Sequence, residues 1–217
     1  MRPPTCPPTS PPIRRPIHPV RLPIIALLCL LVPALEAAAQ STPQPELPYV
    51  GVVTRSDVPL QCGGAQQYYP MARLERGDLL RIVRRRYDWL EVAATGPTFA
   101  PERKIHGDIK YPTDERGRFD LDPSGNFGVT RAPMNVRAPN LDADLDPERS
   151  WRPILRDLPA DTRVDIVETF VRDGTVYHRI ILPPEARAWI HTAFVEPAGP
   201  DDLARWEAWQ SGETTEA

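Results

Sequence analysis

The chain has 217 residues, of which 41% are hydrophobic and 25% charged, and this composition is ordinary for a globular protein of one or two domains. Its 26 basic and 29 acidic residues leave a formal net charge of -3, so the charge balance does not predict a nucleic-acid partner. Proline is over-represented, with 28 residues in the whole chain.

The first 39 residues have the pattern of a secretory signal peptide. Four arginines precede a short apolar run at 24–32, and three alanines follow at 37–39. We predict cleavage after Ala39 and an exported protein, periplasmic or associated with the cell envelope. Because a spanning helix needs about 20 apolar residues, no stable membrane span is expected after cleavage. Cys62 would then be the one remaining thiol, which excludes an intrachain disulfide, and we expect it to be buried.

Short β-type segments separated by turn residues follow a Pro/Gln-rich linker at 40–48. The segments 50–53, 78–83 and 89–92 belong to a predicted first domain over residues 49–105. Its basic run, Arg84-Arg85-Arg86, is interpreted as a solvated strand end rather than as an anion site. Residues 106–124 are rich in Gly, Asp and Pro, and are predicted to be an interdomain linker with at most one short extended piece.

The strands resume in a predicted second domain over residues 125–197. Segments 127–131, 163–171 and 176–181 are β-type, and Asp173-Gly174 between the last two is typical of a tight hairpin. The tail, 198–217, contains a short predicted helix at 203–209, with Asp201 and Asp202 positioned to cap it.

Residues 49–105 and 126–195 repeat one pattern. The opening Met134-Asn135-Val136-Arg137-Ala138-Pro139 resembles that of bacterial SH3 (SH3b) domains, as do Asp88-Trp89-Leu90-x-Val92 and the closing Ala188-Trp189-Ile190-x-x-x-Phe194-Val195. The layout is similar to tandem exported SH3b proteins of planctomycete-type bacteria. The resemblance implies an all-β fold of two tandem SH3-like small β-barrels. The first copy diverges, since Gln61 and Cys62 replace the usual Arg and small residue.

The cysteine, the histidines and the acidic segments of the chain do not have the spacing of a catalytic or metal site. Cys62 has three histidines as possible partners but lies in a strand rather than at a helix N-terminus. A calcium-loop-like start at 142–146 has Pro147 where glycine is needed. We therefore predict no catalytic residue, no cofactor and no metal ligand, and a protein that is not an enzyme.

Aromatic residues are the better candidates for binding, because SH3-type barrels present aromatic-lined grooves to extended peptides. The predicted ligand-binding residues are Tyr68, Tyr69, Trp151, Tyr177 and Trp189. The alternative for Tyr177 and Trp189, and for Trp89, is a place in the core. The expected function is a non-enzymatic cell-envelope binding or scaffold protein that recognises peptidoglycan peptides or a protein partner. The alternative function is a regulatory or targeting subunit of a cell-wall hydrolase system.

Overall fold

Segments with alternating apolar residues form strands in the described parts of the chain, as the sequence predicts. The computed structural model describes residues 45–103, 105–111, 117–141, 152–172 and 174–212. They form two antiparallel sheets of seven strands and one short α-helix, which confirms the all-β class. The predicted signal segment, the calcium-like loop at 142–146 and Trp151 lie outside the described residues.

The first sheet combines strands from both ends of the described chain. Its seven strands are β1 (Tyr49–Val53), β2 (Val58–Gln61), β3 (Pro70–Leu74), β4 (Leu79–Arg86), β5 (Trp89–Ala93), β13 (Arg187–His191) and β14 (Val195–Pro197). Their order in the sheet is β14-β1-β4-β5-β13-β2-β3. The connection between β4 and β5 is shorter than the sequence predicts, because β4 continues to Arg86 and only Tyr87 and Asp88 separate it from β5.

The second sheet consists of one continuous stretch of chain. Its strands are β6 (His106–Tyr111), β7 (Phe119–Leu121), β8 (Phe127–Thr130), β9 (Met134–Arg137), β10 (Pro153–Leu158), β11 (Arg163–Arg172) and β12 (Thr175–Ile181). Their order is β10-β9-β6-β12-β11-β8-β7. Arg172 lies opposite Thr175, and Gly174 has a φ of 73°, so the predicted tight hairpin joins β11 to β12.

The second sheet is therefore inserted into the first, between β5 and β13. The chain leaves the first sheet after Ala93 and returns at Arg187, and the two crossings meet where the Ala94 N–H donates to the Ala186 carbonyl at 3.1 Å. Strands β13 and β14, which the sequence places in the second repeat, pair with β5, β2 and β1 of the first sheet. Repeated motifs predict that a strand forms, but long-range hydrogen bonds select its partner.

Residues 106–124 also differ from the predicted linker, because they contain two strands. Strand β6 lies between β12 and β9, and β7 pairs with β8 at the edge of the second sheet. The polar residues of β6 are typical of a linker, which explains the wrong prediction. In the structure Ile109 is fully buried, and the backbone of β6 is paired on both sides. Close packing requires glycine at position 107, because an added Cβ would lie 2.4 Å from a methyl group of Val136.

The core is formed by the apolar side of both sheets. The alternation of apolar residues in the β-type segments predicts which side chains face this core, and most of them are at most 4% exposed: Val53, Leu60, Leu74, Leu80, Ile82, Leu90, Val92, Val136, Leu158, Val164, Ile180 and Ile190. Val129 and Ile166 are only half-buried. Cys62 is buried, as expected, and burial raises the pKa of its thiol.

The predicted tail helix is confirmed and is longer than expected. Helix α1 spans Pro200–Ser211, and the Gly199 N–H donates to the Asp202 carboxylate at 3.3 Å near its start. Trp206 is buried against Gly96, where an added Cβ would meet the indole at 2.3 Å. The helix therefore packs beside the first sheet. No helix in the described ranges has the length and apolar character needed to cross a bilayer.

Candidate binding groove

A groove of about 560 Å³ lies on the first sheet, where three separate parts of the chain meet. The groove is lined by β2 and its flanking loops, by the start of β5, and by the end of β13 with the 3₁₀ turn Thr192–Phe194. Strand β13 lies between β5 and β2 in the sheet. Its lining residues are Arg55, Pro59, Gln61, Gln66, Asp88, Trp89, His191, Ala193 and Phe194.

Aromatic rings form a continuous row in this groove. The ring centroids of Trp89 and His191 are 5.3 Å apart in an edge-to-face arrangement, and those of His191 and Phe194 are 5.7 Å apart. The guanidinium of Arg55 lies 4.0 Å from the centroid of the Phe194 ring. All three rings are half-buried, so each keeps part of its surface available to a ligand.

Backbone hydrogen bonds hold the 3₁₀ turn in place. The Thr192 N–H donates to the Asp88 carbonyl at 2.8 Å, and the Thr54 N–H donates to the Phe194 carbonyl at 3.0 Å. The Ala193 N–H donates to Nδ1 of His191 at 3.2 Å. In the neutral ring the hydrogen is therefore on Nε2, which becomes a donor for a ligand.

Gln61 lines the groove, but the oxygen of its side-chain amide is buried. Among the described residues, its Oε1 is a buried side-chain atom for which no hydrogen-bond partner is found. Leaving such a group unpaired costs about 1–3 kcal/mol.

Comparison of the chain with protein-family models, curated proteins and solved structures gave no match. Its function is therefore inferred from the groove and from the rest of its own surface.

The residues predicted from the sequence to bind a ligand do not share one site. Tyr68 and Trp189 line a second, larger cleft of about 690 Å³. Tyr177 lies in β12 of the second sheet, where it is 8% exposed and stacks on Phe170 with ring centroids 5.4 Å apart. Trp151 is outside the described residues.

Tyr69 connects the two sheets. Its hydroxyl donates to the Ala138 carbonyl at 3.1 Å and accepts from the Arg152 N–H at 2.8 Å. The Leu141 N–H donates to the Pro70 carbonyl beside it, at 3.1 Å. These contacts give Tyr69 a structural role in joining the first sheet to the second.

The groove residues are not among those that the sequence predicts to bind a ligand. The sequence favours a place in the core for Trp89, and it includes Phe194 only in the closing motif. Trp89 lies at the start of β5 and Phe194 in the turn after β13, and the two residues are more than 100 positions apart in the chain. Only the return of β13 beside β5 brings Trp89, His191 and Phe194 together.

The buried carboxylate of Asp108 has a structural role in an ion-pair network. Asp108 is 1% exposed and pairs with Arg179 at 3.2 Å, and Arg179 also binds Glu168 at 2.7 Å. Burial raises the pKa of the Asp108 carboxyl, against the lowering effect of Arg179. Within the described ranges, no group of three or more His, Cys, Asp or Glu residues is arranged to hold a metal ion.

Proposed function

We propose that this protein is a non-enzymatic binding or scaffold protein of the cell envelope, and that it holds an extended peptide in the aromatic groove. The ligand would be a peptidoglycan stem peptide or a segment of a protein partner. In this proposal the two sheets are SH3-like modules, with the second inserted into the first. The predicted signal segment supports the location in the envelope.

The row formed by Trp89, His191 and Phe194 is the observation that carries the proposal. Aromatic-lined grooves on β-modules bind extended chains, whose side chains pack between the rings. The groove volume of about 560 Å³ lies in the range of sites that bind small ligands or short peptides. The Nε2 donor of His191 offers a polar partner to a peptide backbone.

Sedimentation with insoluble purified peptidoglycan, and capture of proteins from envelope extracts, would test this function. Phe194→Ala removes one ring of the row, and we expect it to weaken retention by about tenfold, as expected for an aromatic residue at the centre of an interface. Trp209→Ala is the matched control, because Trp209 is 39% exposed on α1 and does not line the groove.

The captured ligand should be released from Phe194→Ala but not from Trp209→Ala, and both variants should have the circular dichroism of the unmodified protein. Failure to retain either peptidoglycan or any envelope protein would overturn the proposal. Equal retention by the two variants would show that binding does not use this groove.

A further inference from the structure

The larger cleft lies between the two sheets and has a charge opposite to that of the whole chain. Strands β4 and β13 line it from the first sheet, and residues 152–156 line it from the second. Its charged residues are Arg84, Arg86, Arg152, Arg156, Arg187, Glu91 and Glu185. Five arginines against two glutamates leave an excess of three positive charges in a protein whose formal net charge is -3.

Within the described residues, three of these five arginines have no carboxylate partner. Arg84 forms an ion pair with Glu91, and Arg187 donates to the backbone carbonyls of Pro184 and Ala186 at 2.9 Å. Among the residues that the structure describes, Arg86, Arg152 and Arg156 have no carboxylate within ion-pair distance.

Arginines elsewhere on the surface are paired more often. Six of them outside the cleft form ion pairs with described carboxylates: Arg73, Arg103, Arg131, Arg163, Arg179 and Arg205. Like charges gathered in one concavity repel each other, and low-dielectric walls strengthen the field there. A bound anion would relieve that repulsion.

Aromatic side chains hold two of the arginines in position. The guanidinium of Arg152 lies 4.0 Å from the ring centroid of Tyr68, and that of Arg84 lies 5.4 Å from the ring of Trp189. A guanidinium stacked by its face keeps its N–H edge available, as for Arg152, whereas the Nε of Arg84 already donates to Glu91. Such an edge matches the two oxygens of a carboxylate or phosphate group.

We propose that this cleft binds a ligand that carries two or more phosphate or carboxylate groups, and that the ligand bridges the two sheets. Arg86 on β4 and Arg156 on β10 would contact it from opposite sides, with Arg152 between Tyr68 and the anion. The cleft shares no lining residue with the aromatic groove, so the two sites can be tested separately.

Calorimetric titration of the purified protein with tripolyphosphate and with citrate tests the proposal, with sodium chloride at matched ionic strength as the blank. Binding of tripolyphosphate but not of citrate would show that the cleft prefers phosphate groups. Binding of both would show that it accepts carboxylate groups as well. The double variant Arg86→Gln/Arg156→Gln should weaken binding by about tenfold or more, because it removes two charge-assisted contacts.

The control is Arg76→Gln/Lys110→Gln, which removes the same charge from exposed positions that do not line the cleft. We expect it to change the affinity by about twofold or less, since distant exposed charges are screened. Arg152→Lys keeps the charge but not the planar stack, and should give an intermediate loss. Binding no stronger than the salt blank, or equal losses in the two double variants, would overturn the proposal.

Discussion

The pairing of β13 with β5 makes a specific prediction about energetic coupling. Ile190 lies directly opposite Leu90 in that pair, and the two side chains are 0% and 3% exposed. Each replacement by alanine should cost about 2–5 kcal/mol of unfolding free energy, from lost burial and the cavity left behind. Because opposite residues on one face are in contact, the double variant should depart from additivity by about 0.5–1 kcal/mol or more.

Ile180→Ala provides the matched comparison. Ile180 is also 0% exposed, but it lies on β12 of the second sheet, opposite Ile166 and Gly107. Its coupling to Leu90→Ala should be smaller than that of Ile190→Ala. Urea unfolding in a sulfate buffer, which stabilises weakened variants, would measure all three single and both double variants. Equal coupling of the two isoleucines to Leu90 would refute the observed insertion of the second sheet.

Three further predictions concern buried groups. Trp206→Ala should lower the Tm by about 10 °C in thermal unfolding, from about 3–5 kcal/mol of lost packing, whereas Trp209→Ala on the exposed side of α1 should lower it by about 2 °C or less. Because burial raises the pKa of Cys62, iodoacetamide at pH 7 should label it at least about tenfold more slowly in the folded than in the unfolded protein; equal labelling rates would contradict its burial. Burial lowers the pKa of His178 below 6.5, so the unfolded chain takes up the proton first. The free energy of unfolding contributed by neutral His178 is therefore complete above pH 6.5 and is lost as the pH falls toward the lower pKa of the folded state. His178→Gln removes this titration, so the Tm should fall less between about pH 7.5 and 5 in the variant than in the unmodified protein.

The strands were predictable from the sequence because they depend on local features. Apolar residues alternate within β11 and β5, and Asp-Gly marks the hairpin between β11 and β12. The candidate sites were not predictable in the same way. The aromatic groove needs Trp89 beside Phe194, and the cationic cleft needs Arg86 near Arg156. Both combinations depend on pairings across long stretches of chain.

The sequence by itself determined the all-β class, most of the core residues, the tail helix and the burial of Cys62, since alternation, turn residues and capping act over a few positions. The tertiary structure decided which strands pair. It returned β13 and β14 to the first sheet and placed β6 between β9 and β12 in the second. A strand's pattern fixes which face is buried, whereas its partner is selected by the packing and hydrogen bonds of the whole molecule. Those choices created both the groove and the cleft.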